Sequence, residues 1–235
     1  MFIGIGSKTA PMKIFLRHGV VTNQSEEVIH RYYKEMGSGA LAYDKGDIPT
    51  DDQFPREQLV VARKLANELG GRGIPDKAID SLCVRQSTIA KKLEEVPCTI
   101  TILDKNEHIP WKSITELFDA FRVPYVTIAR YTKILHKKRP NLMPILDSRV
   151  RAGYFLPTIA RGTMAGLSDA ERATYLVKEM KKDISENREA LFELYEWQGK
   201  PCRISILRIF DILVWCRFGP NSFRPRFSDL YTCNP

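Results

Sequence analysis

A chain of 235 residues with 43% hydrophobic and 27% charged side chains can bury one large core, or two smaller ones sharing a cleft. No apolar run of about 18 residues occurs, so no membrane span is expected. The N-terminus lacks the features of a signal peptide, which makes a cytoplasmic location the default. Five scattered cysteines, with no C-x-x-C pair and no Cys/His cluster, argue against a disulfide framework and a zinc or iron–sulfur site. No metal or cofactor is expected.

In chain order, "IFLRHGVV" (residues 14–21) suits a short strand or an arm. The run "GIGSKT" (residues 4–9) has the composition of a phosphate loop without its spacing. From Ser25, "SEEVIHRYYKEM" predicts a helix with Ser25 as N-cap and acids in the first turn. Residues 37–54, rich in Gly, Asp and Pro, predict a long acidic loop able to shape a pocket. Pro55 and Pro75 open two more helices, and "PCTITILDKN" suits a short strand or an extended link.

Pro110 begins a helix that breaks at "VPYV". A helix follows in "TIARYTKILHKKR", stopped by Pro140, and another in "DSRVRAGYF" with Asp147 as its N-cap. Ser168 and Glu171 form a capping box ahead of the next helix. "NREALFELYEW" follows, and then "RISILRIFDILVWCRF", apolar nearly all round and therefore central. The segment after Phe218 reads as irregular. The expectation is an all-α protein of eight or nine helices without a convincing sheet.

Net charge is +8, and it is concentrated. Residues 122–151 hold eight Lys/Arg and a single acid, Asp147, whereas the rest of the chain is nearly balanced. Such local density is the electrostatic footprint of a polyanion site. Arg130, Lys133 and Lys137 recur at helical spacing on one face, with Lys138, Arg149 and Arg151 nearby, as candidate phosphate contacts. His136, on the flank, reads as a surface residue or a further phosphate contact. A bare phosphate-binding surface has no use for the lone acid. A surface that binds phosphate and then does chemistry does, because a carboxylate can meet charge that develops only in the transition state. The structural alternative is that Asp147 only caps a helix.

The segment "VPYVTIARYTKIL" followed by "PILDSRV" resembles the helix-hairpin-helix superfamily of DNA glycosylases, which includes endonuclease III and 8-oxoguanine glycosylase. The family pattern is roughly L-P-G-V-G-x-K-T-A, with an acid in V-D-T-H-V some eighteen residues after the lysine. Aligning the prolines puts Ala129 at the lysine position and Asp147 18 residues later, with Ser148 and Val150 on the family threonine and valine. The direct match covers about 40 residues. Tyr125 and Thr127 replace the two glycines through which the family's backbone approaches a phosphate.

The resemblance implies a catalytic Asp147 and DNA contacts from Tyr125, Thr127, Arg130, Lys133, Lys137, Arg149 and Arg151. Ala129 in place of the lysine implies a monofunctional enzyme that leaves an abasic site, without lyase activity. It also implies two helical lobes, residues 30–141 and residues 1–29 plus 142–235, with Asp147 at their junction. The partner is then double-stranded DNA with one nucleotide flipped out. The substrate is then a damaged or modified base; a divergent branch with a degenerate hairpin could act against phage DNA carrying modified bases. Tyr43, Arg208 and Asp211 are candidates for the base pocket, although Arg208 and Asp211 also suit a buried ion pair. The alternative function is a non-catalytic DNA-binding protein with the same fold.

Overall fold

The computed structural model describes residues 13–69, 74–154, 164–198, 204–218 and 224–233. The run at residues 4–9 and the side chain of Cys202 lie outside them. The chain is mostly helical, as the periodicity predicts. Among the described residues, no helix is long and apolar enough to cross a membrane.

The chain enters through β1 (Ile14–Leu16) and β2 (Val20–Thr22), which pair antiparallel. His18 and Gly19, both at positive φ, turn the hairpin. A two-residue strand, β3 (Thr232–Cys233), completes a small antiparallel sheet in the order β1-β2-β3. Residues 14–21 thus take the strand alternative, and the sheet is a small addition to a mostly helical chain. A strand of two residues such as β3 carries too little alternation to be read from sequence. Asn187 pins the open edge: its Oδ1 accepts from the Phe15 amide at 2.6 Å, and its Nδ2 donates to the Phe15 carbonyl at 2.8 Å.

The first helix, α1 (Ser25–Lys45), runs well into the segment expected to be a loop. It continues past Gly37, whose φ of 63° and ψ of −149° kink the helix in a conformation that favours glycine. Two residues on, any Cβ at Gly39 would lie 2.4 Å from the Glu68 carbonyl oxygen, so a bare backbone lets α1 approach α2 (Arg56–Glu68). The cap of α1 is Gln24 rather than Ser25, whose hydroxyl is buried without a partner.

Then follow α3 (Asp76–Val84), α4 (Gln86–Glu94), α5 (Trp111–Ala120), α6 (Ile128–Lys138) and α7 (Ser148–Tyr154). Residues 97–104 form turns, not a strand. Beyond lie α8 (Asp169–Glu186), α9 (Arg188–Trp197), α10 (Ile206–Phe218) and the short α11 (Arg224–Phe227).

Both halves of the capping box at Ser168 and Glu171 are present. Ser168→Ala should lower stability by about 1 kcal/mol in chemical denaturation, because a donor in the first turn loses its acceptor. The central helix is α10. Every residue from Leu207 to Cys216 is buried, and it packs on α1, α7 and α9. A continuous apolar cluster joins residues from Ile14 to Tyr231 and runs through both predicted lobes.

Candidate functional site

Helix α6 builds the platform for Asp147. Its hydroxyl-bearing Thr132 donates to the Ile128 carbonyl and accepts from the Leu146 amide at 3.1 Å. One turn on, the His136 ring is hydrogen-bonded through Nδ1 to the Met143 carbonyl at 2.7 Å. These two side chains hold the 140–147 connection against α6 and deliver Asp147 to the start of α7.

At that position Asp147 Oδ1 accepts from the amides of Arg149 (2.9 Å) and Val150 (3.0 Å), the expected cap. Its Oδ2 accepts from the indole Nε1 of Trp215 at 3.0 Å. The Arg149 guanidinium lies 4.1 Å from the centre of the Trp215 ring, a cation–π arrangement. Lys133 is nearly buried. Burial pushes its ammonium below the usual lysine range, and Asp147 opposes that shift. Burial likewise lowers Arg149, again against the pull of Asp147.

One face of α10 links Asp147 to a buried charge cluster. Trp215 meets the Tyr32 ring edge-on at 5.4 Å, and Tyr32 accepts from Arg208 Nη2 at 2.8 Å. The Arg208 guanidinium also donates to Asp44 Oδ1 and to Asp211 Oδ2, both at 2.8 Å. This confirms the expected Arg208–Asp211 pair and adds Asp44, to which Tyr33 also donates. Burial pushes the Asp211 carboxyl up to about 7, against Arg208 and with help from Asp147.

Much of the predicted basic face turns inward. Lys138 and Arg139 have wholly buried side chains. Lys138 donates to the carbonyls of Pro49 and Gln53, to Asp51 Oδ1 (2.8 Å) and to Gln58 Oε1. Arg139 reaches the carbonyls of Thr50, Leu93 and Val96 together with Asp52. These two cations tie the 46–55 connection to the end of α4. Lys137 is half-buried, with its ammonium on the carbonyls of Tyr43 and Gly46, and burial lowers it to about 8.

His136, expected at the surface, is buried. Its ring is held neutral, with its pKa down to about 3 through loss of solvent. Unfolded chains take up this proton below about 6.5 while the folded protein refuses it, so stability should fall as pH drops from 6.5 toward 3. Urea midpoints measured between pH 7 and 4 should decline more steeply for the wild type than for His136→Asn.

Tyr43 is fully buried and donates to the Lys133 carbonyl at 2.8 Å, which makes it a core aromatic. Arg151 stays half-exposed, its Nε donating to the Asp147 carbonyl at 3.3 Å. At the α5–α6 turn, Tyr125 adopts a φ of +70° and is 54% exposed. Lys77 sits 3.6 Å over its ring, and Arg130 donates to its carbonyl. Thr127, exposed, is the cap residue of α6.

Sequence reasoning missed Trp215; Tyr32, a candidate stacking aromatic, and Asp44, an acid of the 37–54 segment, were visible but not placed beside Arg208. Trp215 was partly legible, because it lies four residues after Asp211 and seven after Arg208, on one face of α10. A cavity of about 600 Å³ is lined by Arg208 with residues of α1 and the end of α6 and with Trp197, Gln198, Ile204 and Ser205. Among the described residues, no group of three His, Cys, Asp or Glu side chains could hold a metal ion.

No curated protein and no solved structure matches the chain. A family profile does match, over residues 25–217, a span that opens with α1 and holds Asp147, Arg208 and Trp215. The chain therefore belongs to the family described as "Family of unknown function (DUF6308)".

Proposed function

We infer that the protein is a monofunctional DNA glycosylase, hydrolysing the N-glycosidic bond of a flipped, damaged or modified base. The observation that carries this reading is the arrangement helix, left-handed turn, helix, acid. Tyr125 takes a positive φ at the position where the resembled family has glycine, α6 follows, and Asp147 stands half-exposed at the head of α7. A bulky residue in that conformation costs about 1–2 kcal/mol, so the turn geometry is being held against side-chain preference.

In this reading the hairpin turn, with Tyr125, Thr127, Arg130 and the neighbouring Lys77, meets the DNA backbone, while Arg149 and Arg151 flank the acid. The two lobes of the resembled family meet near Asp147, and DNA crosses between them. The carboxylate faces the sugar and stabilises the positive charge that develops as the base departs. It also orients the attacking water. Ala129 supplies no amine, so no covalent sugar adduct forms at that position. A foreign, modified base is one substrate class this chemistry would serve.

A second reading, a DNA-binding protein without catalysis, draws on the three N–H groups that Asp147 already satisfies as a cap and as acceptor for Trp215. Affinity for product separates the two. An enzyme should bind a duplex containing a reduced abasic-site analogue at least about tenfold more tightly than the intact duplex, at one fixed salt concentration. Equal affinities would favour the second reading.

A further inference from the structure

The carboxylate of Asp147 is bound more fully than a helix cap requires. Its Oδ1 alone meets the amides of Arg149 and Val150 in α7. Its Oδ2 accepts from the Trp215 indole, which α10 brings in from 68 positions later in the chain. A backbone carbonyl would satisfy a buried indole equally well. The torsion that carries an aspartate carboxylate is soft, so a cap held through one oxygen leaves the other free to swing. The indole removes that freedom. A carboxylate oxygen can accept twice, and Trp215 takes one of the two places on Oδ2.

The indole is itself held by its neighbours. Trp215 is 7% exposed. The Tyr32 ring meets it edge-on, at 5.4 Å and 84°, and the Arg149 guanidinium lies over it at 4.1 Å. Tyr32 is fixed in turn through its hydroxyl, which accepts from Arg208 Nη2 at 2.8 Å. Arg208 is anchored on Asp44 and Asp211. An unbroken run of contacts thus joins the buried charge cluster to one oxygen of a half-exposed acid.

We propose that Trp215 is a positioning residue for the reaction assigned to Asp147. Its indole N–H holds Oδ2 so that the second lone pair of that oxygen faces the sugar and the attacking water. The indole keeps its proton throughout. This role rests on the glycosylase reading. A displacement of about 1 Å at a reacting centre can cost about 100-fold in rate, which is the scale on which such a support acts.

The test uses whichever duplex the wild type cleaves best among those carrying uracil, oxidised, alkylated, mismatched or modified-cytosine bases. Trp215→Phe keeps a ring beside Tyr32 and Arg149 and removes the N–H. It should lower kcat at least about tenfold and leave KM for the duplex within about twofold, because the lost group orients the acid and does not bind DNA. In the Asp147→Asn background it should lower kcat no further. Val214→Ala removes buried carbon from the same helix and no hydrogen bond, so it should lower the urea midpoint with kcat unchanged. Urea midpoints also test the pair without any activity. Trp215→Phe should lower the midpoint of the wild type more than that of Asp147→Asn, in which two donors already face each other. Equal losses in the two backgrounds would overturn the pairing. An active wild type with Trp215→Phe equally fast, or with Val214→Ala as slow as Trp215→Phe, would overturn the positioning role and leave the glycosylase reading standing. A wild type that releases no base from any duplex would overturn that reading and this role with it.

Discussion

Asp147→Asn is expected to abolish most base release while leaving the fold in place. Asparagine is as good a helix cap as aspartate, and its Oδ1 can still accept from the amides of Arg149 and Val150. What changes is the second position, where an amide NH2 replaces the oxygen that accepts from Trp215 Nε1. Two donors then face each other, at a stability cost of about 1–3 kcal/mol. Losing the negative charge and the base that orients water should lower the rate of base release by about 10²–10⁴-fold. If Asp147 were a cap alone, the variant would show the modest stability change and no loss of any activity.

The largest effect on stability should come from Arg208→Met. The guanidinium is buried and holds two buried acids, Asp44 and Asp211, as well as the hydroxyl of Tyr32. Methionine fills similar space but strands both carboxylates, at an expected cost of about 3–5 kcal/mol. Asp211 is already pushed up toward neutrality by burial, and without Arg208 its proton would be held more tightly still. The triple variant Arg208→Met/Asp44→Asn/Asp211→Asn should recover much of the loss in urea denaturation. A single Arg208→Met variant losing less than about 1 kcal/mol would show that the cluster is not electrostatically buried as described.

What the sequence made legible was local. The cap at Asp147, the capping box at Ser168 and the Arg208–Asp211 pair all lie within one helical turn, so spacing alone places the partners together. Asp44, 164 positions from Arg208, could not be placed that way. The basic segment shows the same limit in another form. Its charge was plain, but whether a cation faces water depends on what folds over it.

Lys138 and Arg139 are covered by the 46–55 connection, whose acids Asp51 and Asp52 were visible as a cluster without an assigned partner. Unpaired acids in one loop and unpaired cations on one helix were, in hindsight, two halves of a single signal. The kinked continuation of α1 was hidden by Gly37, which reads as a helix stop and acts here as a bend.

The most direct test of the central claim is base release from defined DNA. Duplexes carrying uracil, oxidised, alkylated or mismatched bases, together with phage DNA bearing modified cytosines, would be incubated with wild type and Asp147→Asn and then treated with alkali to cut abasic sites. The glycosylase reading expects strand cleavage of at least one substrate by the wild type, dependent on alkali and lost in the variant. Intact strands across the whole panel, with DNA binding preserved in both proteins, would contradict it and leave Asp147 as the cap of α7.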